Sequence, residues 1–197
     1  MIRAGLFFSI MALSTVARGA TVDVTVRGAD GQPLTDAVVT INTPQQPAGP
    51  IHFPWPMVMA QQNISFAPHV LIVPVGATVA FPNRDKVRHH VYSFSKSKKF
   101  DIKLYGRDET RTETFDKPGV VALGCNIHDR MSGFIIVVDT PYAALADATG
   151  HVRLQGVPEG AVTVSVWSPS IRAPGNRLSQ PVTVSGPNYS TTLTMRR

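Results

Sequence analysis

The chain has 197 residues, 43% of them hydrophobic and 16% charged, which is too apolar for a disordered segment and too short for more than two domains. Lysine and arginine number 19 against 13 aspartates and glutamates, a net charge of +6; that balance is mild, and with no aromatic-basic interleaving or groove motif it argues against a nucleic-acid partner. Fifteen glycines and sixteen prolines favour many short strands over long helices, and the single cysteine, Cys125, excludes an intramolecular disulfide.

From the N-terminus, Arg3 precedes the apolar run 4–16, and small residues follow at Ala17, Gly19 and Ala20. This is the order of a secretory signal peptide over residues 1–19, with the mature chain starting near Ala20 or Thr21. The run is shorter than the ~20 residues a bilayer-spanning helix needs, and no later segment is long or apolar enough to span. The expected location is the periplasm. Removal of the segment takes away Arg3 and Arg18 and no acid, leaving 17 basic against 13 acidic residues, a net +4. A lone thiol exported to an oxidising compartment raises the question of whether a metal holds it.

Alternating or β-branched runs then predict strands at 21–27, 37–42, 63–67, 70–75, 78–82, 89–94, 100–104, 110–115, 120–125, 134–138, 151–154, 161–167, 181–185 and 191–195. Turn signals such as Ala29-Asp30-Gly31, Lys117-Pro118-Gly119 and Pro158-Glu159-Gly160 separate them. No window sustains a helical period, so the expected class is all-β, of sandwich type. The segment 43–59 holds five prolines and reads as an extended linker, and Asp139-Thr140-Pro141 marks a second break.

The chemistry lies between those breaks. In GCNIHDRMSGF, Cys125, His128 and Met131 place a thiolate, an imidazole and a thioether within seven residues at the end of a strand. FPNRDKVRHHVYSFS supplies His89 or His90 about 35 residues earlier. Thiolate, imidazoles and a weak axial thioether form the ligand set of a blue-copper site, whereas zinc prefers further thiols or a carboxylate. The expected cofactor is one copper ion cycling between Cu(I) and Cu(II). A nucleophilic Cys–His pair needs an oxyanion site around the thiol; nothing nearby suggests one, so the reading is not an enzyme. His52, His69 and His151 fit no ligand spacing. Met57 and Met59 read as packing residues, with a second soft copper site as the alternative. Arg84, Lys86, Arg88, Lys96, Lys98 and Lys99 flank the first ligand, and as one patch they would steer an acidic redox partner.

Four strings together resemble the cupredoxins: F-x-P-x-x-L-x-V-P-x-G at 66–76, T-V-x-F-x-N at 78–83, H-x-V at 89–91 and C-x2-H-x2-M at 125–131. The loop spacing is similar to that of the amicyanin type. The wider string, with F-D-K-P-G-V-V at 115–121, resembles the plastocyanin-like methylamine utilisation proteins. The resemblance implies a Greek-key copper domain over 60–139. It also implies His89, Cys125, His128 and Met131 as metal ligands, and single-electron transfer between protein partners through the edge of His128. His89 keeps the H-x-V register, and His90 stands where cupredoxins usually carry an Asn that braces the copper loop. Asp129 and Arg130 replace apolar loop residues. The flanks, VDVTVRGADGQPLTDAVVTI and ATGHVRLQGVPEGAVTVSVWSP, partly resemble a carboxypeptidase regulatory-like module. That makes 20–48 and 140–197 a second small β-sandwich around the copper domain. The alternatives are a copper-binding or copper-delivery protein and a metal-free interaction module on the same scaffold.

Overall fold

The computed structural model describes residues 19–45 and 48–195, so the predicted signal segment lies, but for Gly19, outside the described residues. Among the described residues sixteen strands follow one another, beginning with β1 (Ala20–Arg27), β2 (Val38–Asn42), β3 (Ala60–Gln61), β4 (Phe66–Ala67), β5 (Val70–Pro74), β6 (Ala77–Pro82), β7 (His89–Ser95) and β8 (Lys98–Tyr105). The second half adds β9 (Thr110–Phe115), β10 (Gly119–Gly124), β11 (Ser132–Val138), β12 (Ala143–Leu145), β13 (His151–Val157), β14 (Gly160–Trp167), β15 (Arg177–Val184) and β16 (Asn188–Thr194). The helical content described is one 3-10 turn at Pro174–Asn176, and no described helix is long and apolar enough to cross a membrane. The expected all-β class is the one observed.

The two ends of the chain share one pair of sheets. In β1 the alternation of valine with polar residues sends Val22, Val24 and Val26 fully inward, as a half-buried strand requires. β1 lies between β13 and β16, and that sheet faces a second one ordered β12-β2-β14-β15. Ile41, Leu154, Val164, Val166 and Leu193 complete the core between them.

The middle of the chain builds the other sandwich. One layer is the five-stranded sheet β5-β11-β10-β7-β8, in which β5 runs parallel to β11; the opposing layer is made of the pairs β6–β9 and β3–β4. Phe81, Tyr105, Phe115, Val121 and Ile135 fill the space between. Tyr105 carries a polar group into this core, and its hydroxyl donates to Gln61 Oε1 and to the Phe81 carbonyl oxygen. Burial pushes the Tyr105 hydroxyl well above its ordinary pKa, so it stays a neutral donor.

β5 (VLIVP) and β11 (SGFIIVV) do not alternate apolar with polar, and the reason is tertiary. Leu71, Val73, Ile135 and Val137 face the central core, while Val70, Ile72, Ile136 and Val138 face Val38, Ala143 and Trp167 of the other sandwich. A strand covered on both faces reads as a continuous apolar run. Phe134 packs edge-on to Trp167 at 5.0 Å and seals this shared layer.

Several expectations change. The strand predicted at 63–67 shortens to β4, with a turn between it and the preceding β3, because Asn63 and Ile64 both take left-handed backbone, with φ of 56° and 54°. Among the described residues of the proline-rich segment 43–59 there is no strand, as its prolines dictate, but the segment is not a free linker. Trp55 stacks on Phe53 at 4.7 Å and donates its indole N–H to the Ile72 carbonyl oxygen at 2.8 Å. β12, too short to leave a periodic signal, pairs with β2.

Candidate metal centre

β7 and β10 are antiparallel neighbours, with Gly124 opposite Tyr92. The first residue of β7 therefore lies beside the residue that follows β10, and those residues are His89 and Cys125. Beyond Cys125 the chain makes a tight loop back into β11, closed by the Met131 N–H donating to the His128 carbonyl oxygen at 2.9 Å. The result is a cluster: His89 Nδ1 is 3.8 Å and His128 Nδ1 3.9 Å from Cys125 Sγ, and the two imidazole centres are 5.1 Å apart. The three ligand atoms lie within 4.8 Å of one another, which marks His89, Cys125 and His128 as a group able to hold a metal ion.

His89 is fully buried, Cys125 and Met131 nearly so, and Met131 packs in the same core as the thiol. His128 is half-buried, so one imidazole edge reaches the surface while the sulfur stays dry. Two imidazole nitrogens and a cysteine sulfur in a water-poor site suit copper, and these three residues fit such an ion.

The groups behind His89 decide its tautomer. Asp85 Oδ2 is 2.8 Å from His89 Nε2 and accepts the Ile64 N–H at 3.0 Å, and Asp85 Oδ1 accepts the Asn63 N–H at 2.7 Å. Burial by itself would raise the Asp85 carboxyl; the Ile64 N–H, the His89 ring and the Asn63 N–H outweigh it and hold the group below the usual carboxylate range. An ionised Asp85 accepts only, so His89 Nε2 carries the hydrogen and Nδ1 turns its lone pair towards Cys125. The left-handed turn at Asn63 and Ile64 thus has a local reason, since it aims two successive N–H groups at the carboxylate that orients His89. No motif signalled Asp85; its position four residues before His89 and the unbalanced charge in FPNRDKVRHH were the available hints.

The neighbouring histidine goes elsewhere. Side chains alternate faces along a strand, and the ladder shows a register shift between His89 and Val91. His90 therefore meets Asp101 on β8 and Asn126 of the loop rather than Cys125. Of the remaining candidates, His52 is exposed, His69 lies 3.9 Å from Asp36, and His151 is bonded to Asp23 at 3.0 Å. Met59 is fully buried and Met57 packs on the same core, so this pair offers no exposed soft site. The basic residues do not form one patch. Arg84, Lys86 and Arg88 lie at the opening end of β7, while Lys96, Lys98 and Lys99 surround the turn at its far end, roughly 20 Å away for a strand of this length. Lys98 is paired with Glu113 at 3.1 Å.

No protein-family model and no curated protein sequence matches the chain. Solved structures do resemble part of it. A copper-containing nitrite reductase from Thermus scotoductus SA-01 shares 31% identity over 49% of this chain and 25% of its own, with a TM-score of 0.40; this chain thus spans about a quarter of that protein's length. A purple cupredoxin from Nitrosopumilus maritimus is 24% identical over 41% of this chain and 96% of its own, with a TM-score of 0.37. A reduced amicyanin variant is 21% identical over 51% of this chain and 98% of its own, with a TM-score of 0.40.

Proposed function

We propose that the protein is a mononuclear blue-copper electron carrier of the periplasm, with His89, Cys125, His128 and Met131 as ligands. The single observation that carries this reading is the convergence of His89 Nδ1, Cys125 Sγ and His128 Nδ1 in a largely buried pocket. Copper bound there supplies the one-electron Cu(II)/Cu(I) couple. The chain does the rest. Asp85 keeps the His89 ring in one tautomer and orientation, and the sandwich core around Cys125 and Met131 keeps water from the sulfur. Such fixed donors hold both oxidation states in one geometry, which lowers the rearrangement that accompanies electron transfer. His128 is the half-buried member of the group and offers its imidazole edge to a protein redox partner.

Arg84, Lys86, Arg88 and Arg130 are exposed around this end, which suits a partner with an acidic surface and predicts association that weakens with salt. Transfer of this kind turns over no substrate. The copper domain of residues 60–139 is carried within an outer sandwich of 20–48 and 140–197, read as carboxypeptidase regulatory-like, and residues 1–19 as the export signal.

The test is the visible and EPR spectrum of the Cu(II)-loaded protein beside Cys125→Ser. An intense thiolate-to-copper charge-transfer band with narrow copper hyperfine splitting, absent from Cys125→Ser, is expected. A colourless protein, or a weak spectrum unchanged by Cys125→Ser, would overturn the reading and favour copper handling or a scaffold role.

A further inference from the structure

The outer edges of the sheets are guarded, with one exception. An edge strand presents unpaired N–H and C=O groups, and proteins blunt such edges with charge, proline, shortness or cover. Among the described residues, β8 carries Lys98, Lys99 and Lys103, β9 carries Arg111, β13 carries Arg153, and β15 has Pro181 in mid-strand. β3 and β4 have two residues each and β12 has three. The Trp55 indole covers β5 at the Ile72 carbonyl oxygen, and residues 57–59 cover β6 through bonds to both main-chain groups of Ala80. β16 (NYSTTLT), by contrast, has seven residues, no charge and no proline, and it pairs with β1 alone, in an unbroken register.

The ladder with β1 shows which groups of β16 are free. At one end the Thr21 N–H donates to the Pro187 carbonyl oxygen, and at the other the Met195 N–H donates to the Arg27 carbonyl oxygen, both at 2.9 Å. Odd-numbered residues therefore face β1, and Asn188, Ser190, Thr192 and Thr194 turn their N–H and C=O groups outward. Beside this edge the sandwich is open: a groove of about 1070 Å³ runs between β15 and β16, lined in part by Leu34, Leu178, Leu193 and Met195.

We infer that β16 is a self-pairing surface: two copies of the chain join their β16 strands antiparallel about a two-fold axis at Thr191, each extending the other's β13-β1-β16 sheet. The strand matches itself in this register. On the exposed face Ser190 stands opposite Thr192 of the second copy and Asn188 opposite Thr194, so that hydroxyl and amide groups meet across the joint. On the apolar face Tyr189 stands opposite Leu193, over the groove. All four outward residues of each copy then pair, with about eight main-chain hydrogen bonds. Charge decides the direction. The chain is net basic, +6, and Arg27 lies beside Thr194. The antiparallel joint keeps the two Arg27 ends roughly 20 Å apart, whereas a parallel one brings them together. β16 belongs to the sandwich that does not carry His89, Cys125 and His128, so the inference does not rest on the electron-carrier reading.

The test is sedimentation velocity of the purified protein from about 5 to about 500 µM, the range suited to a joint this small. The wild type is expected to pass from one copy to two. Ser190→Lys/Thr192→Lys sets lysine opposite lysine on both sides of the axis and is expected to raise the dissociation constant about tenfold or more. Ser190→Glu/Thr192→Lys sets opposite charges there and is expected to dimerise within about threefold of wild type. Thr192→Pro removes an outward N–H that the β1 ladder does not use, and is expected to weaken the dimer about tenfold. Thr183→Lys, exposed on the facing edge β15, is expected to behave as wild type.

A protein that stays monomeric at about 500 µM would overturn the inference. So would a dimer that Thr192→Pro and the double-lysine variant both leave intact, since its contacts would lie elsewhere. Equal loss in the two double variants would also overturn it, because residues 190 and 192 would then not stand opposite each other. A mass that grows past two copies would do the same, because a two-fold joint closes.

Discussion

At the scale of single residues, the cluster depends as much on what stands behind its histidines as on the ligand atoms. Asp85 receives three hydrogens, from the His89 ring and from the N–H groups of Asn63 and Ile64. Asp85→Asn replaces an acceptor of three donors by an amide with one oxygen, leaving a buried N–H opposed by another. His89 then loses its fixed orientation. Copper(II) affinity, measured by competition with a chelator, is expected to fall by about 10- to 100-fold, the usual cost of removing such a partner; an affinity within twofold of wild type would show that packing alone holds the ring. The sequence carried the proposed ligand types in plain view, because Cys125, His128 and Met131 sit in one short string. Asp85 left only its place four residues before His89 as a hint, and its bonds to Asn63 and Ile64, like the His90–Asn126 contact, join segments that only the fold brings together.

At the scale of elements, pairing across strands decides what a charge is worth. Asp23 on β1 stands opposite Arg153 on β13 and accepts from its guanidinium at 2.8 Å and from His151 at 3.0 Å. The Arg153 hydrogen bond, opposed by partial burial and reinforced by the charges of Arg153 and His151, holds the Asp23 carboxyl below its ordinary value. A carboxyl depressed in the folded state contributes stability that is present above its unfolded pKa of about 3.9 and lost as pH falls through the folded value. Asp23→Asn is therefore expected to lower stability by about 1 kcal/mol or less at neutral pH, and the difference is expected to shrink as the solution is acidified below the unfolded value. Thermal melts of both proteins from pH 7 to pH 3 check this, and a difference that grew on acidification would refute it. Strands β5 and β11 teach the complementary lesson. Their unbroken apolar runs gave the strands but not the number of neighbours, because a run of this kind reads the same whether the second covering layer comes from its own sandwich or from another.

At the scale of the whole molecule, the two sandwiches share an apolar layer rather than hanging from a linker. Trp167 is 3% exposed and lies at the centre of that layer, against Val70, Ile72, Ile136 and the Phe134 ring. Trp167→Ala is expected to cost about 3–5 kcal/mol, the range for emptying a buried aromatic site. It is also expected to split a single calorimetric unfolding transition into two, as the sandwiches lose their common core. One undivided transition with a loss below about 1 kcal/mol would show that the layer contributes little.

What the amino-acid order determined by itself is local chemistry. β-branched alternation, glycine and proline punctuation and the close spacing of Cys125, His128 and Met131 act over a few residues, and their physical causes do not depend on distant partners. The tertiary structure alone decided which histidine turns to the thiol, how the turn at Asn63 and Ile64 supports Asp85, where the basic residues divide between two ends of β7, and how the proline-rich segment is covered. Each of these depends on strand register and on contacts between residues far apart in sequence. A shift of one residue in that register would exchange His89 for His90 at the cluster.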